Sequence, residues 1–200
     1  PLPDTRGEIL ALAKALKANN EQDVFLGKNA SRDSVLKADL AQRRIIAFAT
    51  HGLIAGEYPG MDQPALALAN PGGGQHGLLS LDDILTLKLD ADWVVLSACN
   101  TAAGDGRGGE AVSGLGRGFF YSGSRSLLVT HWPVETVSAQ KLVVGVFNEL
   151  GNAPQIIRAE ALRRSMLKVM SEDGGEGKLR FSYAHPIFWA PYALVGDGGN

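Results

Sequence analysis

Two residues in this sequence stand where they could share a reaction. His51 follows the apolar run Arg44–Ala49 (RIIAFA) and Thr50, and Cys99 follows the run Trp93–Ala98 (WVVLSA). A thiol is a weak nucleophile at its free pKa, and a nearby imidazole can turn it into a thiolate or take its proton. Cys99 is the only cysteine, so it cannot enter an internal disulfide or a zinc site that needs two thiolates. The four histidines are His51, His76, His131 and His185, and none lies in an HExxH motif. A lone cysteine after a strand is usually a small buried hydrophobe, and a histidine at a strand end is usually structural. Two such residues at two strand ends, each beside glycine or polar neighbours, point to a dyad. Gly52 next to His51 strengthens this, because a residue without a side chain lets an oxyanion approach a backbone N–H closely.

The elements that must position this pair follow from periodicity. RIIAFA and WVVLSA are continuous apolar runs, as expected of strands buried on both faces, and Ser126–Thr130 (SLLVT) is a third. Val24–Leu26 reads as a short strand, Leu53–Ala69 as a hairpin turning at Glu57–Gln63, and Ile187–Val195 as an edge strand because Pro191 interrupts it. Helices are predicted over Thr5–Ala18, after Ser31 as N-cap, from a Ser80/Asp83 capping box through Leu87, and over Glu110–Tyr121. Two more span Val134–Leu150, between Pro133 and Gly151, and Pro154–Met170. Asn70–Gly77, Thr101–Gly109 and Ser171–Lys178 read as glycine-rich loops. This alternation predicts an α/β sandwich with a mostly parallel central sheet, as one domain over residues 1–200. Sites in such sheets form at the carboxyl ends of strands, where His51 and Cys99 emerge.

Composition narrows the function classes. The 200 residues hold 19 Lys+Arg and 21 Asp+Glu, a net charge of -2, which lacks the basic excess a nucleic-acid binder needs. With 45% hydrophobic and 20% charged residues the chain is a folded domain, and no apolar run approaches the ~20 residues of a membrane span. A lone thiol fits a reducing, cytoplasmic setting. The rival motif is Gly104–Gly109 (GDGRGG), a GxGxxG between a strand and a helix. Its first glycine comes five residues after Cys99 rather than at the strand end, and the next strand ends on Thr130-His131, not on an acid for ribose. It reads instead as a substrate-side loop. GxSxG and P-loop motifs are absent, and no metal site or cofactor is expected.

The stretches AFATHGLIAGEYPG, GLLSLDDIL, WVVLSACNTAAGDG, GGEAVSGLGRGFFYSGSRSLLVTHWPVE and YAHPIFWAPYALVGDG resemble the CHAT domain, a caspase-like domain associated with tetratricopeptide repeats. The resemblance extends from PLPDTRGEI to LVGDG. It implies a caspase-like three-layer α/β/α sandwich and the activity of a cysteine endopeptidase, as in caspases, separases and gingipains. The spacing of His51 and Cys99, 48 residues, is close to the about 50 of caspases. The resemblance makes His51 the general base and Cys99 the nucleophile of an acyl-enzyme. The backbone N–H groups of Gly52 and Cys99 become the oxyanion hole, and no third catalytic residue is required. It also implies a protein or peptide substrate. It places this chain as the C-terminal part of a longer protein, regulated by a tetratricopeptide-repeat region or another partner outside it.

Specificity rests on fewer residues. Arginine-selective relatives of the metacaspase type carry Asp two residues before the nucleophile. Ser97 stands there, and its hydroxyl does not neutralise a buried guanidinium. Separases carry an acid shortly after a downstream Trp, which here would make Glu135 the floor and Trp132 a wall of an S1 pocket. Glu135 also suits the first turn of a helix, where an acid complements the dipole. Asp105 and Glu110 are alternatives, and a basic P1 residue is expected. His131 is expected to pack under Trp132, His76 and His185 to be structural or solvated, and Arg163, Arg164 and Lys168 to form a solvated face. The other reading is a catalytically silent or latent caspase-like interaction domain, against which the intact His51 and Cys99 count.

Overall fold

A computed structural model describes residues 5–57, 60–70, 72, 76–97, 114–175 and 180–199. In chain order the elements are α1 (Thr5–Ala15), α2 (Asn20–Asp23), α3 (Arg32–Lys37), β1 (Ile45–Phe48), β2 (His51–Leu53), β3 (Ala65–Ala67), β4 (Leu78–Ser80) and α4 (Leu81–Thr86). There follow β5 (Trp93–Leu96), α5 (Gly114–Tyr121), β6 (Ser126–Thr130), α6 (Thr136–Asn152), α7 (Arg158–Met170), β7 (Asp173–Gly174), β8 (Phe181–Ser182) and β9 (Tyr192–Gly196). The three apolar runs become β1, β5 and β6, which pair in parallel, and β9 adds antiparallel to β6. The order is therefore β1-β5-β6-β9, a mostly parallel sheet with β9 on an edge.

All four residues of β5 and all five of β6 are buried, because the sheet is covered on both sides. Trp93, Val95 and Leu128 face Leu12 of α1, Leu142 and Val146 of α6 and Ala161 of α7. Val94, Leu96 and Leu127 face the other way, onto Leu66, Leu79, Ile84 and Phe119. Alternation along each strand thus fills two cores from one set of apolar residues. The second core takes in α4, α5 and a small antiparallel sheet, β2-β3-β4, whose β2–β3 pairing is the expected hairpin.

Local signals place several boundaries. Ser31 caps α3 by accepting from the Ser34 N–H, and Ser80 with Asp83 forms the capping box of α4. Other expectations are corrected. Val24–Leu26 is extended but unpaired, so it is no strand. Lys17 takes a positive φ of 55°, and α1 stops at Ala15. The Glu135 side chain caps α6, which therefore starts at Thr136 and runs through Gly151 to Asn152. α7 starts at Arg158, not Pro154, with Ile157 as its cap residue. Pro186–Phe188 turns as a short 3₁₀ helix, and the last strand begins only after Pro191, which has no N–H to donate.

The amino edge of the sheet is tied by ion pairs. The Arg158 guanidinium reaches Asp92 Oδ1 at 3.3 Å and Asp197 Oδ2 at 3.0 Å, and donates to the Gly199 carbonyl at 3.1 Å. Arg44 reaches Asp92 at 2.6 Å, and Arg125 reaches Asp90 at 2.6 Å. Of these cations Arg158 is the most buried, with 9% of its side chain exposed. Removing one member of a buried, hydrogen-bonded ion pair strands the other. Arg158→Ala is expected to lower the free energy of unfolding by about 2–3 kcal/mol in urea denaturation, and Arg158→Lys, which keeps the charge but not the fork, to recover only part of it.

Candidate active site

The candidate site is built on the register of two strands. β1 and β5 pair from Ile45 opposite Trp93 to Phe48 opposite Leu96, an offset of 48 residues at each position. His51 and Cys99 are separated by the same 48 residues, each three beyond the last paired residue of its strand. The Ser97 N–H donates to the Phe48 carbonyl at 3.0 Å, carrying the pairing one step past Leu96. Cys99 lies outside the described residues, as do Asp105, Glu110 and the Gly104–Gly109 motif.

His51 is fixed by a change of sheet. The chain leaves β1 at Phe48 and enters β2 at His51, which pairs opposite Ala67 of β3, and the Thr50 hydroxyl donates to the Ala67 carbonyl. Gly52 sits opposite Leu66, and Leu66 is completely buried. The imidazole is exposed while Leu53, two residues on, is buried, so β2 is anchored on one side and presents His51 to solvent.

The residues assigned to specificity divide. Trp132 is 38% exposed, and its ring lies 6.4 Å from that of His131, the expected packing. His185 accepts from the Ile187 N–H and caps a short helix, a structural role. Arg163 and Arg164 are exposed and both bond Glu160. Glu135 is committed to α6: its carboxylate accepts from the N–H groups of Val137 at 3.1 Å and Ser138 at 2.8 Å. The Tyr183 phenol lies against the same carboxylate, and burial together with that negative charge raises its pKa.

Ser97 leads to a residue that sequence reasoning passed over. Its hydroxyl lies beside the carboxyl of Glu8, on α1, and beside the hydroxyl of Tyr192, on β9. Glu8 is only 6% exposed, and burial pushes its carboxyl above the usual value, with Ser97 partly countering the shift. The Tyr192 hydroxyl is buried and closes no hydrogen bond of ordinary geometry, although Ser97 stands next to it. The signal was available: Glu8 precedes the buried Leu12 by four residues, which places an acid on the apolar stripe of α1. Among the described residues, no group of three or more His, Cys, Asp or Glu side chains could hold a metal ion. No helix among them is long and apolar enough to cross a membrane.

The family model of the CHAT domain matches residues 1–197. No curated protein matches the chain.

Burial of Glu8 has a consequence for stability against pH. Its folded-state pKa lies above the ordinary 4.5, so between the two values the folded chain holds a proton that the unfolded chain has released. Stability from this group is present below 4.5 and is lost as pH rises through the folded value. Glu8→Gln removes that dependence. Thermal unfolding followed from pH 4 upward is expected to show wild type losing ground to the variant.

Proposed function

The chain belongs to the CHAT domain family, and from that membership we propose that it is a caspase-like cysteine endopeptidase acting through His51 and Cys99. The observation that carries this reading is the shared offset of 48 residues: the strand register and the His–Cys spacing agree, so both reactive side chains follow the carboxyl ends of neighbouring parallel strands. The exposed position of His51 at the start of β2 leaves its ring accessible to a substrate.

The mechanism follows from the residue types. His51 takes the Cys99 proton, and the sulfur attacks the peptide carbonyl carbon. The oxyanion is received by the backbone N–H groups of Gly52 and Cys99. Collapse breaks the C–N bond, His51 passes the proton to the leaving amine, and a thioester remains. Water, with His51 again as base, hydrolyses the thioester and restores the thiol. The substrate is a protein or peptide with a basic P1 residue, Trp132 and Ser97 flank the S1 region, and no cofactor takes part. A tetratricopeptide-repeat region or another regulator outside this chain governs access in the cytoplasm.

Cys99→Ala and His51→Ala are each expected to reduce cleavage of a fluorogenic peptide library at least about a thousandfold, with folding intact by circular dichroism. Equal processing by wild type and Cys99→Ala sinks the peptidase reading in favour of an interaction domain.

A further inference from the structure

We propose that Thr50 is a positioning residue for the general base: its hydroxyl holds the main chain that aims His51. The assignment rests on the peptidase reading and deepens it, by naming what sets the place of the imidazole.

The ring has no orienting partner of its own. It is exposed, and among the described residues no side chain or carbonyl bonds it. In a dyad without a third residue, the aim of the ring then falls to its own backbone. A strand side chain stands out from the local main chain, so a turn of residues 50–52 swings the imidazole. Misplacing a catalytic group by about 1 Å can cost about a hundredfold in rate.

That stretch of backbone lies where the chain changes sheet. β1 ends at Phe48 in the parallel sheet and β2 begins at His51 in the antiparallel one, leaving Ala49 and Thr50 as the junction. Of these two, only Thr50 has a polar side chain. Its hydroxyl donates to the carbonyl of Ala67, the residue of β3 that pairs opposite His51. The bond ties the residue before the base to the residue across from it. Branching at Cβ restricts χ1 and helps to keep the hydroxyl on its acceptor.

The acceptor is itself held still. Ala67 pairs with Leu78 of β4. The Leu68 N–H donates to the Gly77 carbonyl at 2.6 Å, and the Ala69 N–H donates to the Ala30 carbonyl at 2.8 Å, just before α3. Gly77 permits this close approach, since a Cβ there would lie 2.6 Å from the Leu68 carbonyl oxygen. A brace needs a fixed point, and β4 together with the segment before α3 makes Ala67 one.

The test compares wild type with Thr50→Val, which keeps the branched shape and removes the donor, and Thr50→Ser, which keeps the donor. His51→Ala is the reference for a lost base. Two readouts are taken on the 200-residue chain. One is kcat and KM on the fluorogenic peptide that wild type cleaves best. The other is the rate at which iodoacetamide alkylates Cys99 at pH 7, which follows the hold of the imidazole on the thiol. Thr50→Val is expected to lower kcat at least about twentyfold with KM within about threefold, and to slow alkylation at least about fivefold. Thr50→Ser is expected to recover both rates to within about twofold of wild type. If Thr50→Val fails to fold, Thr50→Ala set against Thr50→Ser decides, because both lack the methyl group and only one has the hydroxyl.

An unchanged kcat in Thr50→Val, or a Thr50→Ser as slow as Thr50→Val, overturns the assignment and leaves the peptidase reading in place. If wild type cleaves nothing, yet alkylation falls in both His51→Ala and Thr50→Val and recovers in Thr50→Ser, the peptidase reading fails and the positioning of His51 stands. The absence of both cleavage and His51-dependent alkylation overturns both.

Discussion

The parallel pairing of β1 with β5 is the constraint on which the candidate site depends. Parallel strands cannot be joined by a tight turn, so the chain between them must cross over, and here that crossover holds the small sheet and α4. The pairing cannot slip by one residue, since every side chain of β5 would then exchange cores. Trp93 and Val95 would lose the α1 and α6 face, and Val94 and Leu96 would leave the cluster around Phe119. Burial on both faces therefore locks the register, and the register sets where the two strand ends release the chain. The hydrogen bond from the Ser97 N–H to the Phe48 carbonyl carries the pairing one step past Leu96.

Carboxylates in this fold take their character from their partners. Asp83 accepts both from Arg32, through two nitrogens, and from the Ser80 N–H, and it is held below the usual carboxylate range, chiefly by Arg32. Glu135 accepts two backbone N–H groups at a helix start. Glu8 lies in the first turn of α1 beside Ser97, and there burial dominates and raises its pKa. Three acids of similar chemistry thus differ by their surroundings: one ties α3 to α4, one starts α6, and one is buried beside Ser97 near the end of β5.

The parts that could be read from sequence are those whose cause is local or doubled. RIIAFA, WVVLSA and SLLVT stand out because strands buried on both faces are apolar at every position. The caps at Ser31 and Ser80 are legible because each satisfies N–H groups a few residues away. Glu135 as a cap was harder to foresee, since shorter polar side chains are preferred there. Val24–Leu26 has strand-like residues but finds no partner, and pairing is decided by the whole sheet. The burial of Glu8 is likewise tertiary. On an isolated helix it is one more charged residue, and it becomes unusual only when α1 is laid on the sheet with Ser97 and Tyr192 beneath.

The ion-pair knot at the amino edge joins parts distant in sequence: Arg44 before β1, Asp92 before β5, Arg158 at the start of α7 and Asp197 after β9. It holds the sheet at the end opposite to the one where His51 and Ser97 emerge. The knot and the candidate site thereby lie at opposite ends of the sheet, and changes at one end need not disturb the other. A lineage carrying this fold is free to alter the side chains around the carboxyl edge while the knot keeps the scaffold intact.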